Sequence, residues 1–186
     1  MKMRFIAGFA GILLLCVSCL SAPPDTRPDA RAEGAGTKTD QAALEKELRI
    51  ETAALPGERQ FQGGVLTITL PRSDLWVQAD LMEIPTAAGL ASNLYFYRCD
   101  CGKDHIVGQF ALTDFEVNDV VDALRAGHIE IAAIAPMFIG DNKPRMMLVR
   151  FQAEGQAADF AKTIQSALEW VGEARSAKRP IGQDQP

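Results

Sequence analysis

The sequence predicts an α+β protein: a two-layer sandwich with a mainly antiparallel sheet, helices on one face, ferredoxin-like in spirit. Three observations carry that expectation. Residues 105–151 read HIVGQFAL, TDFEVNDVVDALRAG, HIEIAAIAPMFIG and DNKPRMMLVRF: a strand, a capped helical stretch, then a strand, a turn and a strand. A second helical stripe follows from Ala157. The order from Ile106 is therefore β-α-β-β-α, and a right-handed crossover between the first two strands places both helices on the same side.

Each element has a local reason. Asp40 to Thr52 sets Ala43, Leu44, Leu48 and Ile50 among charges, a short helix ended by Pro56-Gly57. Gly63-Gly64 opens a β-rich run from Val65 to Leu70. Pro71-Arg72-Ser73-Asp74 has turn composition, so Leu75 to Leu81 reads as the returning strand of a hairpin that extends the sheet. Ile84 to Ala91, with Pro85 and Gly89, reads as irregular. Leu94 to Tyr97 and Ile106 to Leu112 form a second hairpin across residues 98–104.

The central helix has a start, a face and a stop. Thr113 and Glu116 have the spacing of a capping box, in which the Thr hydroxyl and the Glu carboxylate each accept from the other's backbone N–H. Val117, Val120, Val121 and Leu124 make one apolar stripe. Arg125 suits the C-terminal dipole, and Gly127 is placed for a left-handed cap. Strands near 129–138 and 145–152 follow, joined by residues 140–144. A last helix over 157–174 turns Ala161, Ile164, Leu168 and Val171 inward.

The N-terminal segment obeys different rules. Lys2 and Arg4 precede an unbroken apolar run from Phe5 to Val17, too short for the roughly 20 residues that a membrane helix needs but suited to an export signal. Ser18-Cys19 has the form of a lipoprotein cleavage site, making Cys19 the acylated (palmitate-bearing) first residue, although Cys16 stands where Leu is usual. The alternative, simple secretion after Ala22, puts Pro23 directly beyond the cut. The expected organisation is a signal peptide over 1–18, a Pro-rich tether over 19–39, one domain over 40–175 and a loose tail over 176–186. The expected location is the cell envelope, lipid-anchored and facing the periplasm or the cell surface.

Charge excludes one class of partner. The chain of 186 residues carries a net charge of −5, and loss of Lys2 and Arg4 makes that 17 − 24 = −7. No Lys/Arg block is present, so nucleic acid is not expected, and membrane attachment rests on the acyl chains rather than on anionic lipid. No cofactor is implied.

At several places the chain resembles the LppY/LpqO family of bacterial exported proteins and lipoproteins, whose function is uncharacterised. The matching stretches are Gly63-Gly64-Val65, Pro71-Arg72-Ser73-Asp74-Leu75, Ile84-Pro85 with Gly89-Leu90, Leu112-Thr113 with Glu116-Val117-Asn118, and Pro144-Arg145. The resemblance implies a His-x-His pair after the central helix, a further His beyond Pro-Arg, an Asp before the helix and often a second copy of the domain. Here those positions hold Ala135, Met137, Arg150 and Gln109, and one copy is present. A metal site formed by such histidines is therefore lost, which implies a chemically silent relative.

Among the remaining candidates, Cys99-Asp100-Cys101 leads. Three readings stay open: an easily reduced disulfide across a tight turn, free or intermolecular thiols, or a Cys-x-Cys-x3-His metal set with His105. His128, after the helix stop, reads as structural. Arg72 and Asp74 pair with each other in their turn; alternatively Arg72 and Arg145 present forked donors to a small anionic ligand. The functional expectation is a non-catalytic ligand-binding or protein-interaction module, with an envelope protein or a small anion as partner. The alternative is a zinc-dependent enzyme using Cys99, Cys101 and His105.

Overall fold

A computed structural model describes residues 38–80 and 82–178. The signal, Cys19, the tether up to residue 37 and the residues beyond 178 lie outside the described residues; the last two residues assigned to the tether, Lys38 and Thr39, begin the first helix.

The α+β class is borne out. A six-stranded, wholly antiparallel sheet runs β1 (Glu58–Gln62), β2 (Val65–Pro71), β5 (Ala91–Arg98), β6 (Asp104–Thr113), β9 (Met146–Gly155), β7 (Glu130–Pro136) in space. A small sheet of β4 (Met82–Ile84), β3 (Val77–Ala79) and β8 (Asn142–Lys143) stands beside it. Helices α1 (Lys38–Glu51), α2 (Val117–Ala126) and α3 (Ala157–Leu168) cover one face of the large sheet, and α4 (Gly172–Lys178) follows. Since β9 lies between β6 and β7, the β6-α2-β7 crossover is split by an antiparallel strand, the ferredoxin-like arrangement. Among the described residues no helix is long and apolar enough to cross a membrane.

Period-2 alternation sends Leu66, Ile68 and Leu70 of β2, Leu94 and Phe96 of β5, Ile106, Phe110 and Leu112 of β6, and Val149 and Phe151 of β9 under the helices. The expected stripe of α2, Val117, Val120, Val121 and Leu124, is buried against them. Ala111 and Met146 point the other way and pack with Val77 and Leu90 beneath the small sheet, which covers one end of the far face. Among the described residues nothing covers the rest of that face.

Five local expectations are corrected. Residues 75–81 do not return along β2: β1 is its hairpin partner, and β3 joins the small sheet. The Gly63-Gly64 turn makes this hairpin possible, because both residues take positive φ (58° and 80°), as tight hairpin turns of matching twist demand. Residues 84–91 hold the end of β4 and a short 3-10 turn before β5.

The capping box is half formed. The Glu116 carboxylate accepts from the Thr113 N–H at 2.6 Å, but the Glu116 N–H donates to the Thr113 carbonyl, not its hydroxyl, and α2 starts only at Val117. Gly127 is not left-handed; His128 is, at φ 61°. Gly127 is needed for space instead, since a Cβ there would lie 2.1 Å from Thr163 Oγ1 on α3. The long last helix is broken at Gly172, whose φ is 60°.

Candidate functional site

Arg72 and Asp74 pair in their turn, and the arrangement consumes them. The buried Arg72 guanidinium donates Nε and Nη2 to the two Asp74 oxygens, both at 2.9 Å. Nη1 and Nη2 also donate to the two Glu116 oxygens at 2.9 Å each, and Nη1 to the Ala111 carbonyl at 2.7 Å. All five N–H donors of the group are thus engaged. Glu116 in turn accepts from the Gly172 N–H at 2.7 Å, so one node ties the β2 turn, the start of α2 and the start of α4. Burial alone would raise the Asp74 pKa, but the Arg72 hydrogen bonds and charge outweigh it and hold the carboxyl below its ordinary range.

This corrects the expected anion site. Arg72 has no donor left for a ligand, and Arg145 is exposed in a separate groove with Pro136, Met137, Phe138 and Asn142. Side chains from the same turn composition serve the fold rather than a ligand.

The turn between β5 and β6 behaves otherwise. The Cys99 N–H donates to the Lys103 carbonyl at 3.0 Å and the Gly102 N–H to the Cys99 carbonyl at 2.9 Å. This tight turn draws the two cysteines to a Cα–Cα distance of 5.1 Å, with their sulfurs at disulfide distance. His105, the second residue of β6, comes back alongside: its ligand nitrogen and both sulfurs lie within 4.8 Å of one another. Its ring stacks on Tyr97 of β5, centroids 5.1 Å apart and planes 11° from parallel.

Below the turn, strand ends are tied to helices. The Arg98 Nε donates to the buried Asp104 carboxylate at 2.7 Å, and its Nη1 donates to Glu47 of α1 at 2.8 Å. Asp104 also accepts the Ala157 N–H that begins α3, at 3.0 Å. Burial pushes the nearby Glu51 carboxyl up, Asp104 and Glu47 push it further, and Arg98 pulls the other way.

From His105 a groove of about 420 Å³ extends over the open face of the large sheet, lined by Tyr97, His105, Val107, His128, Glu130, Gln152 and Glu154 among others. The register explains the assembly. Tyr97, His105 and Glu154 form one row across β5, β6 and β9; Tyr95, Val107, Gln152 and Glu130 form the next across β5, β6, β9 and β7. Tyr95 and Val107 are large exposed side chains in that row, 36% and 42% accessible. Lys103 pairs with Glu154 and, with a smaller contribution from His105, holds that carboxyl below its ordinary range. His128 lines the groove instead of only closing a helix.

Glu130, Gln152 and Glu154 were not singled out from the sequence. The only signal Gln152 and Glu154 leave is alternation: polar Arg150, Gln152 and Glu154 at every second position in the second half of β9, as His105 and Gln109 flank Val107 on one face of β6. Gln109 and Arg150 are in register on adjacent strands, with Ala133 beyond Arg150 on β7.

A family model described as a Domain of Unknown Function (DUF1259) matches residues 50–170, from the end of α1 to just beyond α3. No curated protein and no solved structure matches the chain.

Proposed function

The chain belongs to the family described as a Domain of Unknown Function (DUF1259), and on that premise we propose that it is a non-catalytic, lipid-tethered binding module of the cell envelope. Its site is the groove on the open sheet face, and its partner is an envelope protein that presents a lysine or arginine side chain there. The single observation that carries this reading is the lining: Glu130 and Glu154 carboxylates, the Gln152 amide and the Tyr97–His105 aromatic stack around one groove. Carboxylates beside a ring face attract an ammonium or guanidinium group by charge, hydrogen bonding and cation–π attraction together. The acidic balance of the whole chain adds long-range attraction of the same sign.

The proposal includes kinship with LppY/LpqO proteins, in which Gln109, Ala135, Met137 and Arg150 replace the acid and the histidines. Of these, Gln109 and Arg150 sit in register on the open face and Ala135 on the edge strand β7. An amide, a cation and two side chains without hard donors do not ligate zinc. The face is then free to serve binding.

The test is titration of the labelled chain with a short arginine peptide, followed by amide chemical shifts. Shifts confined to residues around Tyr97, Val107, Glu130 and Gln152 are expected, with affinity lowered about tenfold by Glu130→Gln, the worth of one charge-assisted hydrogen bond. Shifts elsewhere, or none at millimolar peptide, overturn the site. A separate experiment addresses the anchor, which lies outside the described residues. Cys19→Ser is expected to move the chain from the membrane to the soluble fraction and to end labelling by fatty acid; a variant still acylated and bound refutes the lipid assignment.

A further inference from the structure

We infer that the turn between β5 and β6 is a redox-gated site for one thiophilic d10 cation, zinc(II) or copper(I), held by Cys99, Cys101 and His105 and filled only when both cysteines are reduced. The three ligand atoms lie within 4.8 Å of one another. Around a tetrahedral ion with bonds of about 2.0–2.3 Å, neighbouring ligand atoms are roughly 3.3–3.8 Å apart. Once the sulfurs are released from each other, side-chain rotation alone closes the set; the backbone is already in place. The turn bonds from Cys99 to Lys103 and from Gly102 to Cys99 hold the thiol-bearing loop, with Gly102 at φ 79°. The Tyr97 stack holds the imidazole.

The donor set decides the class of ion. Two thiolates and one imidazole are soft to borderline ligands and discriminate against calcium and magnesium. Three protein donors leave a fourth position for water or for a group lying in the groove, the pattern of an exchangeable site rather than a closed structural one. Cys101 is exposed and Cys99 half-buried, so ion and reductant both have access.

The chemistry balances with a dithiol as electron donor. One of its thiolates attacks a sulfur of the pair; the S–S bond breaks, the second thiolate displaces the first sulfur, and the donor leaves as a cyclic disulfide. Two electrons and two protons thereby reach Cys99 and Cys101. Loading zinc forms two Zn–S bonds and releases those two protons. Oxidation by another disulfide reverses the transfer and expels the ion.

The inference goes beyond the groove reading, and the two fail separately, because the test reads metal rather than peptide. The full chain is reduced anaerobically with a phosphine, freed of reductant and titrated with zinc(II) against a chromophoric chelator, then with cobalt(II) for thiolate-to-metal charge-transfer absorption. One zinc per reduced chain is expected, with charge-transfer bands from cobalt, and none for the oxidised chain. Cys101→Ser abolishes binding and His105→Ala weakens it by at least about tenfold. No binding by the reduced chain, equal binding by the oxidised chain, or indifference to Cys101→Ser or His105→Ala overturns the site. The comparison of oxidised and reduced wild type needs no variant to fold.

Discussion

Replacing Glu116 with alanine is expected to destabilise the fold by about 3–5 kcal/mol, the cost of removing one partner from a buried ion pair. Both Glu116 oxygens face the Arg72 guanidinium, and the side chains of the pair are 5% and 4% exposed. Removal strands two guanidinium N–H groups, the Thr113 N–H and the Gly172 N–H in one step. Against the roughly 5–15 kcal/mol that typical domains possess, this is a large fraction of the total. Urea unfolding of Glu116→Ala, Arg72→Met and the double variant measures it. The double variant should lose less than the sum of the two singles, since neither charge of the buried Arg72–Glu116 pair is then left facing an empty place and only the more exposed Asp74 keeps its charge; simple additivity refutes the node.

The same node sets an acid limb. The Asp74 carboxyl has its pKa lowered in the fold, so its pairing contributes stability above the ordinary carboxylate pKa, and that contribution fades as pH falls through the lowered folded value. Asp74→Asn should lower stability at neutral pH and flatten the acid limb of the stability profile.

What the sequence revealed and what it hid divide along a physical line. Elements written by short-range pattern were legible: the stripe of α2, the hairpin of β5 and β6, the α3 face. So was the Cys-x-Cys-x3-His spacing, because a turn of a few residues can only bring such neighbours together. Whatever depended on pairing between distant strands was not. Glu130 reaches the groove because β7 pairs with β9 in one register, and Glu154 because β9 pairs with β6 in another. A one-residue slip would send both to the opposite face. Arg72 shows the complementary failure: its turn neighbours suggested the Asp74 pair, but nothing local announced Glu116 on the far side of β6, which converts a candidate ligand donor into a structural cation. The left-handed position expected of Gly127 falls one residue later, on His128, and the close approach of α3 claims the glycine for space.

Gly108→Ala is the second large effect. This glycine sits on β6 directly opposite Phe151 of β9, and a Cβ built on it would lie 2.4 Å and 2.5 Å from two carbons of the Phe151 ring. Phe151 cannot swing clear at little cost: it is 1% exposed and packs against Phe110, ring centroids 5.1 Å apart. An added methyl in such a core forces strained rotamers and strand displacement, at about 1–3 kcal/mol. Because β6 and β9 are the central strands that carry His105, Val107, Gln152 and Glu154, the strain falls on the strands beneath the proposed groove. Truncating the ring tests the cause. Phe151→Leu alone opens space and is itself destabilising, but combined with Gly108→Ala it should recover part of the loss, giving a favourable coupling of about 0.5–3 kcal/mol. If the two losses simply add, the glycine is required for backbone freedom in the strand and not for the volume of the ring.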